Sequence, residues 1–201
     1  MIMCDSVASL VTKEAPDFTA TAVMADDSFA DVTLSSFKGK FVLLFFYPLD
    51  FTFVCPSEII AFDKAAKQFE ERNTVVLGCS VDSHFSHWAW RQTPLNKGGI
   101  GKISFPLVAD IKKDIARSYG VLLNDSVALR GLFLIDTHGV VRHALVNDLP
   151  LGRSVAEALR TLDALQFVEE HGDVCPANWQ KGDKTMTPTA EGVATYLANE
   201  A

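Results

Sequence analysis

An α/β fold, with a mixed central sheet flanked by helices, is predicted by three stretches of the sequence. Phe41-Val42-Leu43-Leu44-Phe45-Phe46-Tyr47 is short, continuously apolar and closed by Pro48, which suits a strand buried on both faces. After it Ile59, Phe62, Ala66 and Phe69 recur at helical spacing, with Glu58, Asp63, Lys64, Lys67 and Glu70 on other faces, and the apolar run Thr74 to Val81 follows. Strand, helix and strand in that order give a parallel pair with a right-handed crossover. Farther along, Leu129 to Ile135 and Val140 to Val146 flank Asp136-Thr137-His138-Gly139, a composition that makes an antiparallel hairpin.

In chain order, Val7 to Lys13 alternates weakly and ends at Ala15-Pro16-Asp17-Phe18, so it reads as an edge strand or extended arm. Asp31 to Leu34 is a short extended piece, and Ser35 to Lys40 is a turn feeding the core strand. The long helix runs from about Val54 to Arg72. Ser83 caps a second helix that Pro94 stops. Within it His84 and His87 read as part of a polar face rather than as a metal pair, since no cysteine or carboxylate follows at a structural-zinc spacing. Lys97-Gly98-Gly99-Ile100-Gly101-Lys102 lacks the full phosphate-loop spacing and reads as a flexible loop. Phe105 to Val108 is a short strand, and Lys112 to Tyr119 a helix stopped at Gly120. After the hairpin, Gly152-Arg153-Ser154 opens a helix to about Glu170. The tail beyond Gly172 is rich in Pro, Gly and Thr and ends in a short helix over Ala190 to Asn199. Strand, helix, strand, hairpin and helix is the thioredoxin-like order, here with an insertion between its halves.

The chain has 201 residues, 48% of them apolar, and a net charge of −7, which suits a single domain plus a tail and argues against nucleic acid or an anionic membrane as partner. Met1 to Ser6 carries neither a basic nor a long apolar segment, and no apolar run is long enough to span a bilayer. A cytoplasmic location is expected. Four cysteines, at 4, 55, 79 and 175, are too few and scattered for a secreted disulfide framework.

Cys55 stands where the core strand gives way to the long helix, four residues before Ile59 on the same stripe. Its side chain is therefore expected in a pocket only partly open to solvent. Pro56 is welcome in a first helical turn but clashes with the carbonyl four residues back if the helix extends past it, so a turn over Thr52 to Cys55 is weakly held. Unpaired N–H groups and the positive end of the helix dipole favour thiolate over thiol. Fast chemistry also requires fixed donors around the transition state. Thr52, three residues back, offers a hydroxyl, and Arg130, beside an apolar strand, a guanidinium. The competing reading is a buried core thiol, which is the reading adopted for Cys79 in mid-strand.

Pro48-Leu49-Asp50-Phe51-Thr52-Phe53-Val54-Cys55 fits the pattern P-x-x-x-T-x-x-C, and Gly172-Asp173-Val174-Cys175-Pro176-Ala177-Asn178-Trp179 resembles the second cysteine segment of the typical 2-Cys peroxiredoxins. The likeness runs from about Leu10 to Leu197 and is nearest the bacterial alkyl hydroperoxide reductase type. It implies a thioredoxin-like fold with peroxiredoxin insertions, divided into a peroxidase domain over 1–170 and a resolving-cysteine tail over 171–201. It also implies reduction of hydrogen peroxide and organic hydroperoxides at Cys55, resolution by Cys175, Thr52 and Arg130 holding the peroxide, and Pro48 shielding the thiolate. Glu58 and Arg153 are candidates to orient Arg130; the alternative is that they are ordinary surface charges. No cofactor or metal is implied. The electron donor is expected to be thioredoxin or a dedicated disulfide reductase, and the assembly a homodimer building to a decamer. Cysteine spacing alone does not distinguish pairing within a chain from pairing between chains.

Three other readings compete. A thioredoxin-type oxidoreductase wants C-x-x-C, whereas Cys55 is followed by Pro56, Ser57 and Glu58. A cysteine hydrolase needs a histidine facing Cys55. A chaperone-like or redox-sensing assembly is compatible with peroxidase chemistry. Two further places bear on overoxidation: members of the resembled family that overoxidise easily carry a G-G-L-G loop and a C-terminal Y-F pair, where this chain has Gly98-Gly99-Ile100-Gly101 and Tyr196-Leu197.

Overall fold

The computed structural model describes residues 9–199. Two compact units form, Met1–Arg153 and Ser154–Ala201. The first contains β1 (Thr19–Val23), β2 (Phe29–Thr33), β3 (Phe41–Phe46), α1 (Cys55–Glu70), β4 (Thr74–Ser80), α2 (His84–Gln92), β5 (Leu107–Ala109), α3 (Asp114–Ser118), β6 (Leu122–Leu123), β7 (Val127–Ala128), β8 (Arg130–Ile135) and β9 (Val141–Asn147). Seven strands make one sheet in the order β2-β1-β5-β4-β3-β8-β9, and β6 with β7 is a separate hairpin.

The sheet is mixed because β3, beside the central β4, serves two connection types and because β1 pairs antiparallel with β5. β3 runs parallel to β4, joined through α1, and antiparallel to β8. Every residue of β3 is buried, as the uninterrupted apolar run demands. Alternation divides it between two cores. Val42, Leu44 and Phe46 join Leu77, Cys79, Val108, Tyr119 and Phe133. Phe45 stacks on Phe62 of α1 at 4.6 Å, and Tyr47 lies 6.1 Å from Trp90 of α2. Burying each such side chain is worth about 1.5–3 kcal/mol, so the strand is pinned from both faces where it feeds the loop to α1.

Several expectations need correcting. The stretch from Ser9 to Lys13 is a turn rather than a strand, with Thr12 at φ +75°; only Glu14 makes an isolated bridge, to Val140. Residues 7 and 8 lie outside the described ones. β1 was not anticipated, although Thr19-Ala20-Thr21-Ala22-Val23 alternates, because its small side chains give little apolar contrast. On α2 the buried residues are His87, Trp90 and Arg91, so His87 is not on a polar face. Ser83 does cap this helix, accepting from the Ser86 N–H at 3.2 Å.

The glycine loop after α2 is packed rather than flexible. Ile100 and Ile103 are buried, the Trp90 indole N–H donates to the Gly98 carbonyl at 2.8 Å, and a Cβ on Gly99 would stand 1.8 Å from the Thr93 carbonyl oxygen.

The second unit holds α4 (Val155–His171) and α5 (Ala190–Ala198). Ser154 caps α4 by accepting from the Glu157 N–H, and Gly172 ends it at φ +73°; Thr189 caps α5. The intervening segment is irregular, as its Pro, Gly and Thr content implies, and it is tied at several points. Val174 and Met186 exchange backbone hydrogen bonds of 2.9 and 3.2 Å. Trp179 is buried, its indole N–H donating to the Asp183 carbonyl and its own carbonyl accepting from Arg160 at 3.0 Å. No helix among the described residues is long and apolar enough to cross a membrane.

Candidate active site

Cys55 is the first residue of α1, beyond the carboxyl end of β3, where open α/β sheets place their sites. Its sulfur has no exposed surface, more enclosed than the partly open pocket expected. No side chain caps the helix at Val54; the Ser57 and Glu58 N–H groups reach the Val54 carbonyl at 3.1 and 3.2 Å, and Pro56 has no N–H to give.

Two donor groups converge on the sulfur. The Thr52 hydroxyl lies 2.9 Å from Sγ and 2.8 Å from the Leu49 carbonyl oxygen. It has one proton, so it serves the carbonyl while accepting from a thiol, or turns to donate to a thiolate. Arg130, buried at the start of β8, points Nη1 at Sγ from 3.4 Å and at Glu58 Oε2 from 2.7 Å. Its Nε donates to the Leu149 carbonyl at 2.7 Å.

Glu58, one turn along α1 from Cys55, is buried and gathers both arginines. Arg153 grips it in a fork, Nε to Oε1 at 2.8 Å and Nη2 to Oε2 at 2.9 Å, and adds its backbone N–H at 2.8 Å. Burial alone would raise the Glu58 carboxyl; the hydrogen bonds and charge of Arg153, with the charge of Arg130 behind them, outweigh it and hold Glu58 below its usual range. Arg153 Nη1 donates to the Phe46 and Gly131 carbonyls at 2.7 and 2.6 Å, which ties the cluster to β3 and β8. Two guanidiniums share one carboxylate, so positive charge is left over beside the sulfur. Glu58 and Arg153 are thus buried, not ordinary surface charges.

The loop between β3 and α1 is anchored by groups that sequence inspection passed over. Pro48 is buried in it. Asp50 accepts from Tyr47 Oη at 3.0 Å and meets His87 Nδ1 at 2.8 Å, while its N–H donates to Asp82 at 2.9 Å. His87 Nε2 faces the Val108 carbonyl at 3.2 Å. The His–Asp tie joins α2 to the Thr52 loop across residues far apart in sequence, and no local pattern announces it. Phe51, at φ +54°, and Phe53, 96% exposed, form an apolar rim beside it.

The other thiols differ. Burial, and Asp110 with it, pushes the Cys79 thiol well up. Cys4 lies outside the described residues. Cys175 belongs to the second unit, half-buried, its sulfur 3.8 Å from the Ala164 carbonyl; burial raises its thiol against the pull of Arg160. The structure therefore brings Cys55, Thr52, Arg130, Glu58 and Arg153 together, with Pro48 in the same loop.

A family described as AhpC/TSA matches residues 11–144, and one described as the C-terminal domain of 1-Cys peroxiredoxin matches residues 164–199. Alkyl hydroperoxide reductase C of Helicobacter pylori is 58% identical over 94% of this chain and 96% of the relative. The solved structure of a reduced 2-Cys peroxiredoxin from Plasmodium vivax is 60% identical and superposes with a TM-score of 0.94, over 95% of this chain and 100% of that one. A Plasmodium yoelii Prx1a, described as forming an artifactual octamer when modified at its N-terminus, is 64% identical, with a TM-score of 0.77 over 84% and 98% of the two chains. With its mixed sheet and thioredoxin-like fold, this chain belongs to the AhpC/TSA family and is a cysteine-dependent peroxidase of the peroxiredoxin kind.

Proposed function

We propose that the chain reduces hydrogen peroxide and organic hydroperoxides through Cys55 and closes its cycle through Cys175. The convergence of Thr52 and Arg130 on the Cys55 sulfur is the observation that carries this reading. The thiolate attacks one peroxide oxygen, the O–O bond breaks, and the departing alkoxide or hydroxide takes a proton to leave as alcohol or water. Cys55 becomes a sulfenic acid. The Thr52 hydroxyl and the Arg130 guanidinium hold the oxygens and meet the charge that develops on the leaving one. Pro48 shields the thiolate, and Glu58 with Arg153 fixes the angle of Arg130.

The Cys175 thiol then attacks the sulfenic sulfur and water leaves, giving a disulfide. The two sulfurs must approach to about 2 Å, so the uncapped first turn of α1 and the Val174–Met186 ladder both open. A dithiol reductant, thioredoxin or a dedicated disulfide reductase, restores both thiols. On this reading residues 1–170 are the peroxidase domain and 171–201 the resolving tail, in a homodimer that builds to a decamer. A cytoplasmic location goes with this reading, since four scattered cysteines are too few for a secreted disulfide framework.

Peroxide consumption by the pure protein with a dithiol reductant tests the proposal. Turnover is expected with hydrogen peroxide and with an alkyl hydroperoxide. Full turnover after Cys55→Ser overturns the assignment.

A further inference from the structure

Deepening that reading, and resting on its role for Arg130, we propose that Asn147 is a positioning residue for the peroxide step. It locks the turn after β9 so that the Leu149 carbonyl aims the Arg130 guanidinium at Cys55. Asn147 and Arg130 are Cα partners at the end of the β8–β9 ladder, and directly opposed residues of an antiparallel pair project to the same face. The Asn147 Nδ2 group donates to the Leu151 carbonyl at 3.1 Å and to the Gly152 carbonyl at 3.4 Å. Only the donor end of an amide satisfies two carbonyl oxygens.

Two further constraints shape the turn. The Leu151 N–H closes it on the Asp148 carbonyl at 3.1 Å. Pro150 stands inside this turn and locks its own φ, which leaves the peptide that carries the Leu149 carbonyl fewer conformations. That carbonyl accepts from Arg130 Nε at 2.7 Å.

A guanidinium is a rigid planar fork, so holding it at two nitrogens sets its plane. Nε is held by Leu149 and Nη1 by Glu58. If the turn loosens, Arg130 pivots about the 2.7 Å bond to Glu58, and the 3.4 Å contact to the Cys55 sulfur is the first to be lost. The same turn ends in Arg153, which grips the other oxygen of Glu58.

A double-mutant cycle on the reduced full-length protein tests this, reading Cys55 oxidation by hydrogen peroxide and then disulfide formation in single turnovers. Asn147→Ala should slow oxidation about tenfold, less than the hundredfold or more that follows deletion of a stabilising donor itself. In an Arg130→Lys background, where Nε is gone, the same substitution should change the rate by less than about twofold. Disulfide formation should keep its native rate in Asn147→Ala. Asn147→Asp, which keeps the shape but turns the donors into acceptors, should match Asn147→Ala and serves alone if the alanine variant does not fold. Equal slowing in both backgrounds, or oxidation within twofold of native in Asn147→Ala, overturns the proposal while leaving the peroxidase reading intact. A native rate in Arg130→Lys alone removes the role of Arg130, and with it this proposal, while leaving Cys55 as the reacting thiol.

Discussion

Cys55 is enclosed at a helix start with a hydroxyl 2.9 Å away and a guanidinium nitrogen 3.4 Å away, the first held by the Leu49 carbonyl and the second by Leu149 and Glu58. Cys175 is half-buried in a strap tied by the Val174–Met186 backbone pair and by Trp179, its sulfur facing a carbonyl at 3.8 Å. The first sulfur has a hydroxyl and a guanidinium nitrogen within reach; burial raises the second thiol against the pull of Arg160. A thiol meant to attack peroxide needs fixed donors before the reaction. A thiol meant to attack a sulfenic acid needs only to arrive afterwards, and keeping it protonated limits its own oxidation.

The sharpest way to break this contrast is to remove each sulfur. Cys55→Ser should abolish peroxide consumption, while Cys79→Ser, in a site where burial suppresses the thiolate, should leave most of it. Cys4→Ser is expected to behave like Cys79→Ser. Substantial turnover in Cys55→Ser would show that the donors around Cys55 serve something else. Cys175→Ser should leave the first oxidation nearly intact but stop recycling, with Cys55 waiting as sulfenic acid or oxidising further. Nonreducing electrophoresis after one equivalent of peroxide should show a disulfide-linked dimer for the native chain and none for this variant. A native chain that remains monomeric while losing its free thiols would place the disulfide within one chain.

These contrasts were only partly legible in the sequence. Cys55, Thr52 and Pro48 share one short segment, so a pattern captures them. Arg130 was reachable because it opens an apolar strand that pairs with β3. Asn147, Asp50 and His87 were not, because their roles depend on which backbone carbonyl or distant side chain they meet after folding. In the tail, Pro, Gly and Thr announced irregular backbone, which is what forms, but not that Trp179 packs against Phe167 at 5.3 Å. His87 and Arg91 occupy a buried helix stripe where apolar residues are the rule, and Asp50 and Asp27, with backbone carbonyls beside them, make that tolerable.

The next effect in size concerns Glu58, whose carboxylate is shared by Arg130 and Arg153. Glu58→Gln leaves two buried guanidiniums without a countercharge, which should cost about 3–5 kcal/mol of stability at neutral pH. Arg130 loses its pivot, so Cys55 oxidation should fall roughly ten- to a hundredfold. Because the folded-state pKa of Glu58 lies below its ordinary value, its contribution to stability is present above that ordinary value. It is lost as the pH falls through the folded value. The native protein should therefore shed stability on acidification more steeply than Glu58→Gln, as followed by chemical denaturation from pH 7 down to pH 3. Parallel curves for the two proteins would mean that the carboxylate is not held by the arginines.

The smallest effect probes how readily the two thiol environments open to each other. The resemblance implies that a glycine loop and an aromatic pair on the last helix would brace the active-site helix and delay its opening. Here the loop is packed, with Ile100 buried, but the pair ends in Leu197, which is 58% exposed. A phenyl ring carries more apolar surface and can pack edge-on against other rings. Leu197→Phe should therefore hold the tail more firmly and slow the release of Cys175. A slower release gives a second peroxide more time at the sulfenic acid, so Cys55 moves toward sulfinic acid. The added burial is worth roughly 0.5–1 kcal/mol, or about a two- to fivefold shift in sulfinic yield at a given peroxide dose. Mass spectrometry of Cys55 across a peroxide titration reads it directly. Equal yields in both proteins would show that this position does not control the opening, and that the uncapped start of α1 sets the pace alone.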